Sequence, residues 1–234
     1  MNTPEIYEYE LSMLQISDSL FPTGMYSTSS GLETFFYQKK IKNAAELQKL
    51  LKAYLRNQIG PADCVALGNA YENAVASDLQ KLKEADRRLF SMKLVKEIRD
   101  VSVRSGTQLL KCVSSIAEDN KILRAYRDAI KNGEASGVYP IALAVACALF
   151  SIPKSKAGLV LMYTFTASVV GAALRLGMID HLEGQKVIAE LKPAMLKAVE
   201  RNVNRQLSDM WQFAPEIDIT QMVHEQAETR MFIS

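Results

Sequence analysis

From Ala135 to Pro153 the chain carries no charged residue, and the same holds from Ala157 to Leu174. Only Lys154, Ser155 and Lys156 separate the two stretches. Each approaches the length that spans a bilayer, so a membrane hairpin is one way to house them. Both, however, are rich in Ala, Ser, Thr and Gly and poor in Leu and Ile for their length, and Pro140 interrupts the first. Helices that are apolar on every side are also what the centre of a large helical bundle requires. Two buried core helices are therefore the preferred reading, and a protein that needs detergent is the outcome the hairpin would predict.

The rest of the chain reads as further helices. Leu47, Leu50, Leu51, Tyr54 and Leu55 fall at helical spacing behind Asn43, a competent N-cap. Phe90, Leu94, Val95, Ile98 and Val101, then Leu109, Leu110 and Val113, carry the same period through a charged middle. Val187, Ile188, Leu191, Met195, Leu196, Val199 and Val203 make a third set. No period-two alternation is sustained, and no Asn-Gly or Asp-Gly turn joins β-branched runs. Gly60-Pro61 reads as the end of one helix and the start of the next, Asn132-Gly133 as a stop, and Gly184 and Pro215 as further stops. No linker divides the 234 residues. The expectation is an all-α fold, a single-domain multi-helix bundle over 1–234 with apolar central helices.

Composition excludes several classes of function. A formal net charge of +2 is too small to argue for nucleic acid or acidic lipid, and the basic stretches, such as Lys121 to Lys131, contain acids. Cys64, Cys112 and Cys147 lie far apart without CxxC spacing, which points to buried free thiols in a reducing cytoplasm. MNTPEIYEYE is acidic and lacks an apolar h-region, so no secretory signal is read there. His181 and His224 are the two histidines, and neither has HExxH spacing. The carboxylates lie along amphipathic helices, where solvated faces are the default. No catalytic residue, cofactor or metal site is assigned, although a small helical enzyme with an unrecognised pocket remains the alternative from another class.

Four segments carry more specific information. Leu20 to Glu33, LFPTGMYSTSSGLE, is a Pro/Gly loop leading to hydroxyl residues Ser27, Thr28, Ser29 and Ser30, each able to cap a helix carrying Leu32, Phe35 and Phe36. It has neither the lysine nor the spacing of a nucleotide-binding P-loop. Gly137 to Pro140, GVYP, reads as a helix start with a first-turn proline and a packed Tyr139. Val170 to Leu176 places Arg175 at the close of an apolar run, where its guanidinium needs a defined acceptor if buried. Met222 to Ser234, MVHEQAETRMFIS, ends in Met231, Phe232 and Ile233, which dock either on the chain's own body or in a partner.

Taken together, these segments resemble the urease accessory protein UreF family. Pro22, Gly24, Tyr26, Ser27, Ser29, Gly31, Leu32 and Glu33 match its LPxGGYSxSxGLE signature, with Met25 replacing the second glycine and Ser30 the usual glutamine. GVYP is similar to the family's Gly-x-His/Tyr-Pro helix start, and AALRL followed by Gly184-Gln185 to its Ala-Ala-x-Arg-Leu segment. His224, Glu225, Arg230, Phe232 and Ser234 follow the closing His-Glu-x4-Arg-Leu-Phe-x-Ser, with Met231 in the leucine position. The resemblance implies an all-α homodimer without catalysis of its own. It also implies binding of a UreD/UreH-type accessory protein, recruitment of the GTPase UreG, and nickel insertion into the urease apoprotein. On this resemblance, residues 222–234 form a partner-docking tail with Phe232 as its apolar contact. The Tyr26 loop and the Arg175 region then serve dimerisation or the GTPase-facing surface, and Tyr139, His224, Glu225 and Arg230 join the candidate interface residues.

Overall fold

The computed structural model describes residues 8–24, 27–117, 120–227 and 230–232, so Tyr26 and Ser234 lie outside the described residues. Those residues form helices and connecting turns, with no strand among them. In chain order the helices are α1 (Glu8–Ser17), α2 (Leu32–Tyr37), α3 (Ala44–Tyr54), α4 (Val65–Val75), α5 (Leu79–Met92), α6 (Lys96–Ile116), α7 (Lys121–Lys131), α8 (Tyr139–Leu149), α9 (Lys154–Arg175), α10 (His181–Asn202) and α11 (Pro215–Glu225). The fold is all-α, as the periodicity indicates.

The two uncharged stretches become α8 and α9. Every residue of α8 from Tyr139 to Cys147 is buried, because α4, α6 and α9 all pack against it. α9 is long and apolar enough to cross a membrane, yet α1, α2, α8 and α10 cover much of it, and most of its apolar side chains lie in the core. Pro140 sits in the first turn of α8, where its missing N–H breaks no intrahelical bond. Gly106 on α6 makes the α6–α8 approach possible: a Cβ there would lie 2.1 Å from the Gly137 carbonyl oxygen.

Local signals hold at several helix ends. The Asn43 side chain accepts from the Glu46 N–H at 3.0 Å, and α7 ends at Lys131, followed by Gly133 at φ 74°. Three readings need correction. Gly60-Pro61 does not end a helix; a π-helical segment, Leu55–Cys64, carries the chain through it from α3 into α4. Pro61 has no N–H to give the helix, and in the turn before it the Asn57 carbonyl accepts from Phe213 N–H at 3.0 Å. Gly184 lies inside α10, where α9 presses close: its Cβ would meet a Val170 methyl at 3.1 Å. Pro215 opens α11 as a first-turn proline and stops nothing.

Candidate functional site

α2 begins after two consecutive residues with positive φ, Ser30 at 54° and Gly31 at 86°. The Gly31 carbonyl accepts the first helical bond from Phe35 N–H at 3.2 Å, but no side chain caps the helix start, so the expectation that Ser27 to Ser30 cap it is corrected. Ser27 Oγ instead donates back to the Gly24 carbonyl at 2.9 Å, while Thr28 and Ser168 hydroxyls meet at 3.2 Å. Gly31 is needed for φ, and also because a Cβ would sit 2.9 Å from Gln221 Cγ on α11. This tight entry places Glu33, only 3% exposed, in the first turn of α2 facing α11 and the tail.

The Glu33 carboxylate collects three donors from the far end of the sequence. Oε1 accepts from Met231 N–H at 2.8 Å, and Oε2 accepts from Phe232 N–H at 3.2 Å. His224 Nε2 lies 3.0 Å from Oε2. The other imidazole nitrogen, Nδ1, lies 2.9 Å from Glu97 Oε2 on α6, and Arg230 donates to Glu97 Oε1 at 2.7 Å. The Glu33 and Glu97 carboxylates thus share the His224 ring between them, and the more exposed Arg230 guanidinium pairs with Glu97 alone. Phe232, 4% exposed, lies beneath the Arg175 guanidinium at 4.6 Å from its ring centroid, and Arg175 Nε donates to the Gly171 carbonyl at 3.0 Å.

Glu33, Gly31, Arg175, His224, Arg230 and Phe232 are thus gathered into one knot from three of the four sequence segments. Phe232 rests on the chain's own body, while Met231 beside it is 60% exposed. Pro22 and Gly24 lie in the preceding loop, at a cleft formed with α9. Tyr139 is apart from the knot, buried at the start of α8, with its N–H donating to Ser102 Oγ at 3.1 Å and its hydroxyl pushed up to about 12 by burial. Glu225 acts on the Lys96 ammonium and contributes none of the knot's hydrogen bonds.

Sequence reasoning missed two acids that the fold encloses, one partly and one fully. Glu97 is central to the knot, and Asp86 is fully buried on α5. Asp86 accepts from Tyr126 hydroxyl at 2.9 Å, from Val138 N–H at 3.0 Å, from Gly137 N–H at 3.1 Å and from Ser136 N–H, so it holds the GVYP segment in place. A solvated face is therefore the wrong default for these residues. The available signal was position: Asp86 falls on the stripe of Leu82 and Leu89, and Glu97 on that of Val101. Among the described residues no group of three His, Cys, Asp or Glu could hold a metal ion. Cys64 and Cys147 are free and buried, Cys112 is free and partly buried, and burial pushes the Cys64 thiol up to about 12.

The UreF family profile matches residues 41–192. Urease accessory protein UreF of Trichodesmium erythraeum is 31% identical over 223 residues, 95% of this chain and 96% of the relative. Urease accessory protein UreF 1 of Brucella melitensis is 32% identical, with 96% of this chain and 92% of the relative covered. The Corynebacterium glutamicum UreF is 32% identical over 95% of this chain and 96% of its own length.

Proposed function

The chain belongs to the urease accessory protein UreF family, and from that premise we propose that it works as a non-catalytic adaptor in urease maturation. It binds a UreD/UreH-type accessory protein as a cytoplasmic homodimer, recruits the GTPase UreG, and so supports delivery of nickel, as cargo, to the urease apoprotein. The observation that carries this reading is the knot around Glu33, which fixes the tail against α2 and α6 and leaves an apolar surface beside it. Ile219, Met222 and Val223 recur at i, i+3 and i+4 on α11 and are 61%, 42% and 45% exposed. They form a row of large apolar side chains that water solvates poorly and that a partner's core-like surface would cover, and Met231 is exposed as well.

Within this reading Glu33, Glu97 and His224 hold the docking element, Arg230 and Phe232 set its path, and the exposed row makes the contact. Pro22, Gly24, Ser27 and Ser29 in the loop, together with Tyr26, serve dimerisation or the UreG-facing surface. The first test is urease activity in cells whose urease operon lacks this chain. Restoration by wild type but not by a chain without Met222–Ser234 supports the role and its location. Full urease activity in the deletion strain under limiting nickel would end it. A pull-down then separates the parts: Ile219→Asp with Met222→Asp should abolish capture of the UreD-type protein without lowering the melting temperature. Unchanged capture by Arg230→Ala with Phe232→Ala would remove the tail from the interface.

A further inference from the structure

Positive charge is unevenly spread over the molecule. The chain carries 28 basic and 26 acidic side chains, yet from residue 39 to residue 56 six basic ones (Lys39, Lys40, Lys42, Lys49, Lys52 and Arg56) meet a single acid, Glu46. That segment alone is +5, and the remaining 22 basic and 25 acidic side chains leave the rest of the chain at −3. All six cations are exposed, and among the described residues only Lys40 makes an ion pair, at 4.0 Å from Glu216. Lys49, Lys52 and Arg56 follow at i, i+3 and i+7, so they run as a stripe down one side of α3. Beside the stripe an open cleft of about 600 Å³ lies between α3 and the start of α11. Phe35, Leu50 and Ile217 form its buried apolar floor, and the exposed Lys40 and Lys49 border it. Its acids are engaged: Glu46 accepts the Lys42 N–H at 2.7 Å, and Glu216 faces Lys40.

A second feature, independent of charge, points to a protein partner. Phe213 lines the cleft and is 73% exposed. Its main chain is nevertheless tied down. Trp211 N–H donates to the Pro61 carbonyl at 3.2 Å, Phe213 N–H to the Asn57 carbonyl at 3.0 Å, and the Gln212 side chain to the Met92 carbonyl. The fold thus holds a large aromatic side chain out in water on a fixed backbone, as binding surfaces do with the rings that anchor a partner. Phosphates of a nucleic acid gain nothing from an apolar floor, and a flat bilayer surface would leave the cleft unfilled. The exposed cations select carboxylates. The volume is about four times the ~150 Å³ engineered cavity that takes benzene, room for several apolar side chains. We propose that this face docks an acidic amphipathic helix of a partner protein. Its apolar side chains enter the cleft against Phe213, and its carboxylates pair with Lys40, Lys49, Lys52 and Arg56. Carboxylates spaced at i, i+3 and i+7 on such a helix match the stripe on α3, because both follow the same rise and turn.

The experiment is a titration of the full chain into a fluorescein-labelled synthetic peptide of about four helical turns, read by anisotropy. The peptide is built of Leu and Glu only, with Leu on one helical face and Glu on the flanks. The same peptide with Ala for Leu, the same with Lys for Glu, and vesicles of phosphatidylserine and phosphatidylcholine serve as controls. The expected result is saturable binding of the Leu/Glu peptide alone, weakening as salt is added. Lys49→Glu with Lys52→Glu should lower the affinity about tenfold or more, since attraction becomes repulsion at two positions. Phe213→Ser should lower it about fivefold, with the charges untouched. All three side chains are exposed, so both variants should keep the wild-type melting temperature, and a loss of binding is then not a loss of fold. No saturable binding, equal binding of the Ala peptide, stronger binding to the vesicles, or unchanged affinity in either variant would each overturn the proposal.

Discussion

Asp86 and Glu33 do the same chemistry in two different places. Each is a buried carboxylate that accepts consecutive main-chain N–H groups and one side-chain donor, Tyr126 hydroxyl for Asp86 and His224 for Glu33. Around Asp86 the partners come from α7 and the loop into α8, both packed against the core on other faces as well. Around Glu33 the partners belong to a tail segment whose other contacts are few, chiefly Phe232 under Arg175 and Arg230 on Glu97. One carboxylate therefore builds the fold, whereas the other fastens an element onto a fold already built. The difference lies in what else holds the donors.

The largest expected effect is at the first. Asp86→Ala leaves three main-chain N–H groups and the Tyr126 hydroxyl unmatched in the interior, which should cost about 4 kcal/mol and lower the melting temperature by roughly 10 °C. Calorimetry checks this, and a shift of only a degree or two would make Asp86 no different from a surface acid. The Asp63–Lys93 pair comes next, because it balances a buried carboxylate with a cation in place of main-chain donors. Lys93→Met should cost about 3 kcal/mol by stranding the Asp63 charge, and adding Asp63→Leu should recover most of it. If the double variant were as unstable as the single, the pair would be contributing net stability of its own.

Glu33→Gln should act locally. Exchange of the Met231 and Phe232 amides should accelerate about tenfold, a loss of about 1–2 kcal/mol confined to the tail, while the global melting temperature stays nearly fixed. A large global loss would erase the contrast with Asp86. The smallest effect concerns pH. Asp218 is raised by burial, so the fold favours its protonated form. That contribution is present below the unfolded carboxylate value of about 3.9 and is lost as pH rises through the folded value. Asp218→Asn should therefore be more stable than wild type by about a few tenths of a kcal/mol at pH 7, after allowing for solvent screening, with no gain near pH 3. Denaturant melts at the two pH values decide it, and equal gains at both would assign the effect to packing.

Helix identity was legible because its causes are local. Asn43 is a side-chain cap within three residues of the N–H it accepts, and Pro140 suits a first turn wherever α8 packs. Gly184 and Pro215 were misread because each residue type has two uses, and the choice depends on a neighbour: Val170 beside Gly184, and the Asn57 and Pro61 carbonyls that hold the segment before Pro215. The candidate site was half legible. Glu33, Arg175, His224, Arg230 and Phe232 could be named from resemblance, but Glu97 looks like every other acid on an amphipathic helix.

By itself the sequence determined an all-helical chain, two apolar central helices and the faces that turn inward, since a period of 3.6 residues is written into neighbouring positions. Only the tertiary structure decided which carboxylates are buried and what they hold. The donors to Glu33 lie 191 to 199 positions away along the chain, and no local pattern encodes a hydrogen bond across that separation. The choice is made when packed helices exclude water from particular acids, because each acid so enclosed must find a donor or cost the fold its stability.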